Sequence, residues 1–169
     1  WVFDFDLDES VSVLDGIRAR VGDAASVTYT PGIRPAKRLN PSLFDMFPGN
    51  VPADPVDFDD DAELQKAADL AATSDVAIVV VGEWQHMIGE LASRSTLELP
   101  GRQQELIDAV AATGTPVALL VMNGRPLDIT SAHASVGAIL DIWYPGTHGG
   151  HAVADVVFGD VSPAGRLPF

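Results

Sequence analysis

Cysteine is absent from this 169-residue chain, which excludes disulfides and thiol chemistry. It does not fix the compartment, since chains of either redox environment can lack it. Basic side chains are scarce: 10 Lys and Arg stand against 24 Asp and Glu, for a net charge of −14. A surface of that sign repels nucleic acid and anionic membranes, so neither is expected as a partner, and it leaves a neutral substrate unaffected. No apolar run approaches the ~20 residues of a membrane-spanning helix. No signal-peptide pattern opens the chain, which begins at Trp1 rather than Met, so its natural start is expected to lie upstream. Three catalytic signatures are missing as well. No strand is followed by Gly-x-Gly-x-x-Gly, no Gly-Lys-Ser or Gly-Lys-Thr phosphate loop occurs, and there is no Gly-x-Ser-x-Gly elbow. Of the histidines His86, His133, His148 and His151, only the last two are close in sequence, and a metal site would need a third ligand.

What is present is the composition of a folded domain, 47% hydrophobic and 20% charged. Trp1 to Asp8 alternates aromatics with acids, as expected of a segment that packs on something else. Ser10 is expected to cap a short helix carrying Val11, Leu14, Ile17 and Val21 on one face, ended by Gly22. Ser26 to Thr30 is rich in β-formers and predicts a strand. Residues 31–58 form a long connection holding six prolines, too long for an ordinary loop in a compact domain. It is either a functional loop or interdomain strap, or a cut or disordered linker; Leu43, Phe44, Met46 and Phe47 favour an ordered, packed loop.

Beyond it the pattern becomes regular. Asp59 to Asp61 can cap a helix whose inner face is Leu64, Ala67, Ala68, Ala71 and Ala72. Asp75 to Gly82 is a continuous apolar, β-branched run, the pattern of a strand buried on both faces and therefore parallel. A polar loop follows from Glu83 to Leu99, then a helix starting at Pro100, with Leu106, Ile107, Val110 and Ala111 inward, to Gly114. Pro116 to Met122 predicts a second buried strand, Asn123 to Pro126 a turn, Ser131 to Ala134 a short helix, and Gly137 to Trp143 a third buried strand. Tyr144 to Gly150 leads into a helix over 151–158, stopped by Gly159, with an irregular tail to Phe169. Alternating strands and helices predict an α/β fold: a mostly parallel sheet flanked by helices with right-handed crossovers. Ligands in such sheets bind beyond the carboxyl ends of the strands, so the segments after Gly82, Met122 and Trp143 are the ones to examine.

The turn Gly146-Thr-His-Gly-Gly150 sits where an anion could bind at a helix N-terminus, but a tight turn and close helix packing are the favoured account. The segment Gly82-Glu-Trp-Gln-His-Met-Ile-Gly-Glu-Leu-Ala-Ser-Arg94 is more suggestive. It gathers two acids, an aromatic, an amide and an arginine at the ligand-binding end of the sheet. Glycoside cleavage needs a carboxylic acid to protonate the leaving oxygen and a second group to attack the sugar or activate water. The loop holds the ingredients for half of that chemistry; by composition alone, an ordinary Glu–Arg ion pair explains it too.

The order of motifs VAIVVVGE (76–83), GELASRSTLELPGRQQELIDAV (89–110), TGTPVALLVMNGRPLDI (113–129) and AILDIWYPGTHGGHAVADVVFGDVSPAGRLPF (138–169) resembles the second domain of family 3 glycoside hydrolases. The likeness is greatest to the bacterial periplasmic-type β-glucosidase branch and covers nearly the whole chain, including WVFDFDLDESVSVLDGIRAR at its start. It implies a flavodoxin-like, three-layer α/β sandwich, of which residues 1–169 are a part, with 31–58 a connecting loop inside it. The family's first strand, with its Gly-Pro-Leu-Ala-like motif, is expected to be missing. The resemblance implies a preceding (β/α)8 barrel that carries the aspartate nucleophile, a β-glucoside or oligosaccharide substrate, and hydrolysis of terminal non-reducing β-D-glucosyl residues with retention. It implies no metal and no organic cofactor. A homo-oligomer is left open, as is the choice between cytoplasm and export.

Carried onto this sequence, the resemblance implies that Glu90 is the catalytic acid/base, with Glu83 the runner-up. The alternative for Glu90 is a pairing with Arg94 that only shapes the loop; for Glu83 it is orientation of its neighbours. Arg94, Trp84, His86 and Met87 are the candidate substrate-binding residues, with domain-interface packing as the alternative for the last three. Asn123, Gly124, Arg125 and Pro126 match the family's NGRP turn, for which a structural role is expected. With no barrel in the sequence, the isolated chain is expected to lack glycosidase activity. A non-catalytic carbohydrate-binding or interaction module on the same fold is the competing function.

Overall fold

The computed structural model describes residues 7–37, 46 and 57–168. The aromatic-acidic start before Leu7 and most of the proline-rich connection lie outside the described residues. The chain divides into two compact units, one formed by Tyr29–Trp143 and the other by Trp1–Thr28 with Tyr144–Phe169.

The first unit is built on three parallel strands, β1 (Ala77–Gly82), β2 (Val117–Met122) and β3 (Ala138–Asp141), in the order β1-β2-β3. Ala77 pairs with Val117 and Gly82 with Met122; Ala118 pairs with Ala138 and Val121 with Asp141. Three helices belong to this unit: α2 (Asp60–Ala72), α3 (Gln103–Ala111) and α4 (Thr130–His133). Asp59 starts α2 as expected, its carboxylate accepting from the N–H groups of Asp61 and Ala62 at 3.1 Å each. Strand residues of odd number, Val79, Val81, Val117, Leu119 and Val121, face Ala67, Ala71, Leu106, Ile107, Val110 and Ala132 in one continuous apolar core. Fixed alternation of side chains across the strand makes this possible. An α/β fold with a parallel sheet flanked by helices is therefore what forms.

Several local expectations are corrected. Two-sided burial holds in the middle strand, where Leu119 and Leu120 are both enclosed, but not in β1, where Val80 is 43% exposed on the face opposite the buried Val79 and Val81, nor in β3, where no residue is fully enclosed. Residues 26–30 form no strand: without a neighbouring strand to receive its N–H and C=O groups, a β-prone segment remains unpaired chain. Helix α3 begins at Gln103 rather than Pro100, since Pro100-Gly101-Arg102 first makes a turn with Gly101 at φ +64°. Ala72 is exposed, off the inner face of α2.

The second unit contains α1 (Val13–Val21) and α5 (Gly149–Val157). Ser12, rather than Ser10, caps α1 by accepting from Asp15 N–H at 3.1 Å. The two helices approach until only glycine fits: a Cβ on Gly16 would overlap Gly150 O, and a Cβ on Gly150 would overlap Ser12 O. Val11 N–H donates to Thr147 O at 2.8 Å and Gly150 N–H to Val11 O at 3.0 Å. Close packing thus accounts for the Gly-Gly pair, and one amide at the start of α5 is already spent on Val11.

Candidate active site

The loop after β1 is organised from beneath by a buried carboxylate. Glu83 is the first residue past the strand, and its N–H extends the ladder by donating to Met122 O at 2.9 Å. The residue before it is fixed on its other side, where the Gln103 side-chain amide accepts from Gly82 N–H at 2.7 Å and donates to Gly82 O at 2.8 Å. Glycine is required there: Gly82 has φ +137°, and a Cβ would overlap Met122 O. The backbone of Glu83 is therefore rigid, and its side chain, 0% exposed, points into the protein.

A buried carboxylate is tolerated only when paired and hydrogen-bonded. Two arginines supply this. Arg94 Nη1 lies 3.0 Å from Glu83 Oε1, and Arg125 Nε lies 3.1 Å from Oε1 and 3.2 Å from Oε2. Their remaining donors grip the backbone of the same loop. Arg94 Nη2 donates to Glu98 O at 2.7 Å, while Arg125 Nη2 donates to Met87 O at 2.9 Å and Ala92 O at 3.0 Å. Arg125 is itself held just past β2, where the buried Asn123 side chain donates to Arg125 O at 2.8 Å. Farther along, Asp128 N–H donates to Leu97 O at 2.7 Å and ties the loop to the chain entering α4.

Upon this base sits a short exposed tip. A 3-10 turn, Gln85–Met87, buries His86 and Met87. A second turn closes where Ala92 N–H donates to Gly89 O at 3.3 Å, with Gly89 at φ +89° and Leu91 at φ +60°. Glu90 lies in that turn and is exposed, with no hydrogen bond or ion pair to its carboxylate among the described residues. Trp84 is 48% exposed.

The candidate residues thus separate into two layers. Glu90 and Trp84 face outward. Glu83, Arg94, His86 and Met87 lie inside, with Arg94 only 4% exposed and Met87 1%. Arg94 binds Glu83 and the Glu98 carbonyl, so the alternative in which Glu90 pairs with Arg94 does not form.

Arg125 and Asp141 were not singled out as site residues from sequence. Arg125 was visible only as part of a turn motif; its reach to another loop is a tertiary fact. Asp141 ends β3, and an acid at the carboxyl end of a parallel strand is the available signal. Burial pushes its carboxyl above the ordinary 3.8, an effect opposed by hydrogen bonds from Trp143 N–H and the Asn123 side chain. Elsewhere, His148 and His151 stack with ring centroids 6.3 Å apart, and no group of three or more metal-ligating side chains occurs among the described residues.

Comparison with known proteins agrees with this architecture. The chain is 40% identical over 162 residues to a periplasmic beta-glucosidase of Salmonella typhimurium, covering 95% of this chain and 21% of the relative. It is 35% identical over 157 residues to a beta-xylosidase of Formosa agariphila, covering 93% of this chain and 19% of that protein. The crystallised b-glucosidase of Erythrobacter marinus matches with a TM-score of 0.73 and 31% identity over 94% of this chain and 22% of the other. The chain therefore spans about a fifth of the length of these relatives. The family model for the glycosyl hydrolase family 3 C-terminal domain matches residues 2–169, and to that family, within that domain, the chain belongs.

Proposed function

We propose that this chain is the part of a retaining β-glucosidase that brings the acid/base to the active site, and that Glu90 is that group. The observation that carries the reading is the contrast between the two glutamates. Glu90 is exposed at the tip of the loop beyond β1, whereas Glu83 is enclosed between arginines and cannot reach a glycosidic oxygen. In the first half-reaction the Glu90 carboxyl protonates the departing oxygen while a carboxylate nucleophile attacks the anomeric carbon. In the second, Glu90 takes a proton from water, which cleaves the glycosyl-enzyme. The two carboxyl groups stand about 5–5.5 Å apart in a retaining enzyme.

The nucleophile is an aspartate of a (β/α)8 barrel in the complete protein, so residues 1–169 alone turn over no glycoside. Residues 31–58 serve as a connection within this domain. Trp84 supplies an apolar ring beside the tip, suited to stacking on a sugar face. Arg94, His86 and Met87 act on substrate through the shape of the loop they support. Terminal β-D-glucosyl residues are the substrate class favoured by the Salmonella relative; the Formosa relative makes β-xylosides the necessary comparison.

The test is Glu90→Gln in the complete protein. Turnover of phenyl β-glucoside, whose leaving group needs a proton, is expected to fall by about 10²–10⁴. Azide, which needs no general base, is expected to restore turnover of an activated dinitrophenyl glucoside and to yield β-glucosyl azide. Unaltered phenyl glucoside hydrolysis would exclude Glu90 as the acid/base and favour a binding module.

A further inference from the structure

Residues 88–91 form the tip that carries Glu90, and both ends of this tip are held by a single atom. Met87 O, just before it, and Ala92 O, just after it, each accept a hydrogen bond from Arg125 Nη2, at 2.9 and 3.0 Å. The two carbonyl oxygens are thereby kept within two hydrogen-bond lengths of one another, and the tip between them is closed like a loop of thread drawn through one eye. Nε of the same guanidinium meets Glu83, whose backbone is immobilised between Met122 O and, through Gly82, Gln103. Arg125 also starts from a fixed place, one turn past β2 and tied by Asn123.

We propose that Arg125 is the positioning residue for the acid/base: it sets the direction in which Glu90 presents its carboxyl group. This rests on Glu90 being the acid/base. Arginine is specifically suited to the task. Its planar group holds the Nε–H and the two Nη2–H donors at fixed angles, so Nε can bind a carboxylate while Nη2 bridges two carbonyls. A lysine offers one compact ammonium and cannot span all three acceptors. Arg94, although bound to the same carboxylate, grips Glu98 O beyond the tip and does not close it. Besides the 3.3 Å turn hydrogen bond from Ala92 N–H to Gly89 O, the tip has no other tether among the described residues: Glu90 forms no hydrogen bond there, and Leu91 is exposed.

The prediction is a leaving-group effect. A dinitrophenolate departs without protonation, whereas a phenolate needs the acid. Loss of positioning therefore slows phenyl β-glucoside and largely spares dinitrophenyl β-glucoside. The quantity to measure is the ratio of kcat/KM for these two substrates on one preparation of the complete protein, because the ratio cancels the fraction of folded enzyme. Arg125→Lys is expected to lower the phenyl-to-dinitrophenyl ratio by about 10–100-fold, the range for a catalytic group displaced by about 1 Å. Glu90→Gln, the control, should lower it by about 10² or more. Should Arg125→Lys yield too little soluble protein, Arg125→Gln is read in the same way. A ratio within twofold of the unmodified protein in the arginine variant, alongside a collapsed ratio in Glu90→Gln, overturns the positioning role and leaves the acid/base assignment standing. An unchanged ratio in Glu90→Gln overturns both. A loss of equal size on both substrates in the arginine variant assigns Arg125 to folding alone and overturns the proposal.

Discussion

Replacing Glu83 by Gln removes the charge on which the loop is built while keeping the side chain's shape. Its cost follows from what surrounds it. Arg94 is 4% exposed and Arg125 23%, and both direct N–H groups at the Glu83 carboxylate. A carboxamide keeps one acceptor oxygen but turns an NH₂ toward the second guanidinium, setting donor against donor. Arg94 is left as a buried cation without its counter-charge, a situation that costs about 3–5 kcal/mol. Arg125 is open enough for water to replace much of its loss, so it adds only about 0–1 kcal/mol. The expected destabilisation is therefore about 3–6 kcal/mol. With a urea m-value of about 2 kcal/mol/M, the unfolding midpoint of the 169-residue chain should fall by about 1.5–3 M at unchanged slope. Added salt should recover little, since buried pairs are weakly screened. A fall below about 1 kcal/mol with the slope preserved would mean that the carboxylate is hydrated in solution, and the account of the loop's foundation would be wrong.

Two further outcomes follow from the structure. Asp141 titrates above its ordinary 3.8 because burial disfavours its charge. Its contribution to folding is complete below the unfolded value and is lost as pH rises through the higher folded one. Asp141→Asn should accordingly gain melting temperature relative to the unmodified chain on going from about pH 4 to about pH 7; a difference constant across that range refutes the burial argument. Gly150→Ala would drive a methyl into Ser12 O where α1 and α5 cross. It should cost about 1–3 kcal/mol or more in thermal or chemical unfolding, and a neutral effect would show that the helices part readily.

The α/β class, the three parallel strands and the cap of α2 were legible because they rest on local signals: apolar β-branched runs between turns, and Asp59 before an alanine-rich helix. Residues 26–30 show where such signals fail. Val27, Thr28 and Tyr29 have strand propensity, but a strand exists only as half of a pair, and that requirement is not local. The same limit governed the site. Residue types placed Glu83, Glu90 and Arg94 together beyond the carboxyl end of β1. Which acid faces water and which is enclosed depends on Arg125, 35 residues beyond Glu90 in the chain, arriving from the end of the neighbouring strand. Parallel register alone brings those two segments side by side, and no spacing within either reveals it.

The grip of Gln103 on Gly82 bears on how this sheet could grow. The ladder to β2 uses N–H groups of Ala77 and Glu83, so by alternation those of Ile78, Val80 and Gly82 point to the side of β1 away from β2, where no strand lies among the described residues. At Gly82 that side is already occupied, donor and acceptor alike, by one amide that mimics a strand's peptide group. An incoming strand, whether from the same polypeptide or another, would find attachment points at Ile78 and Val80 and then be halted one step below the loop. The Gln103 amide thus keeps foreign backbone away from Glu83.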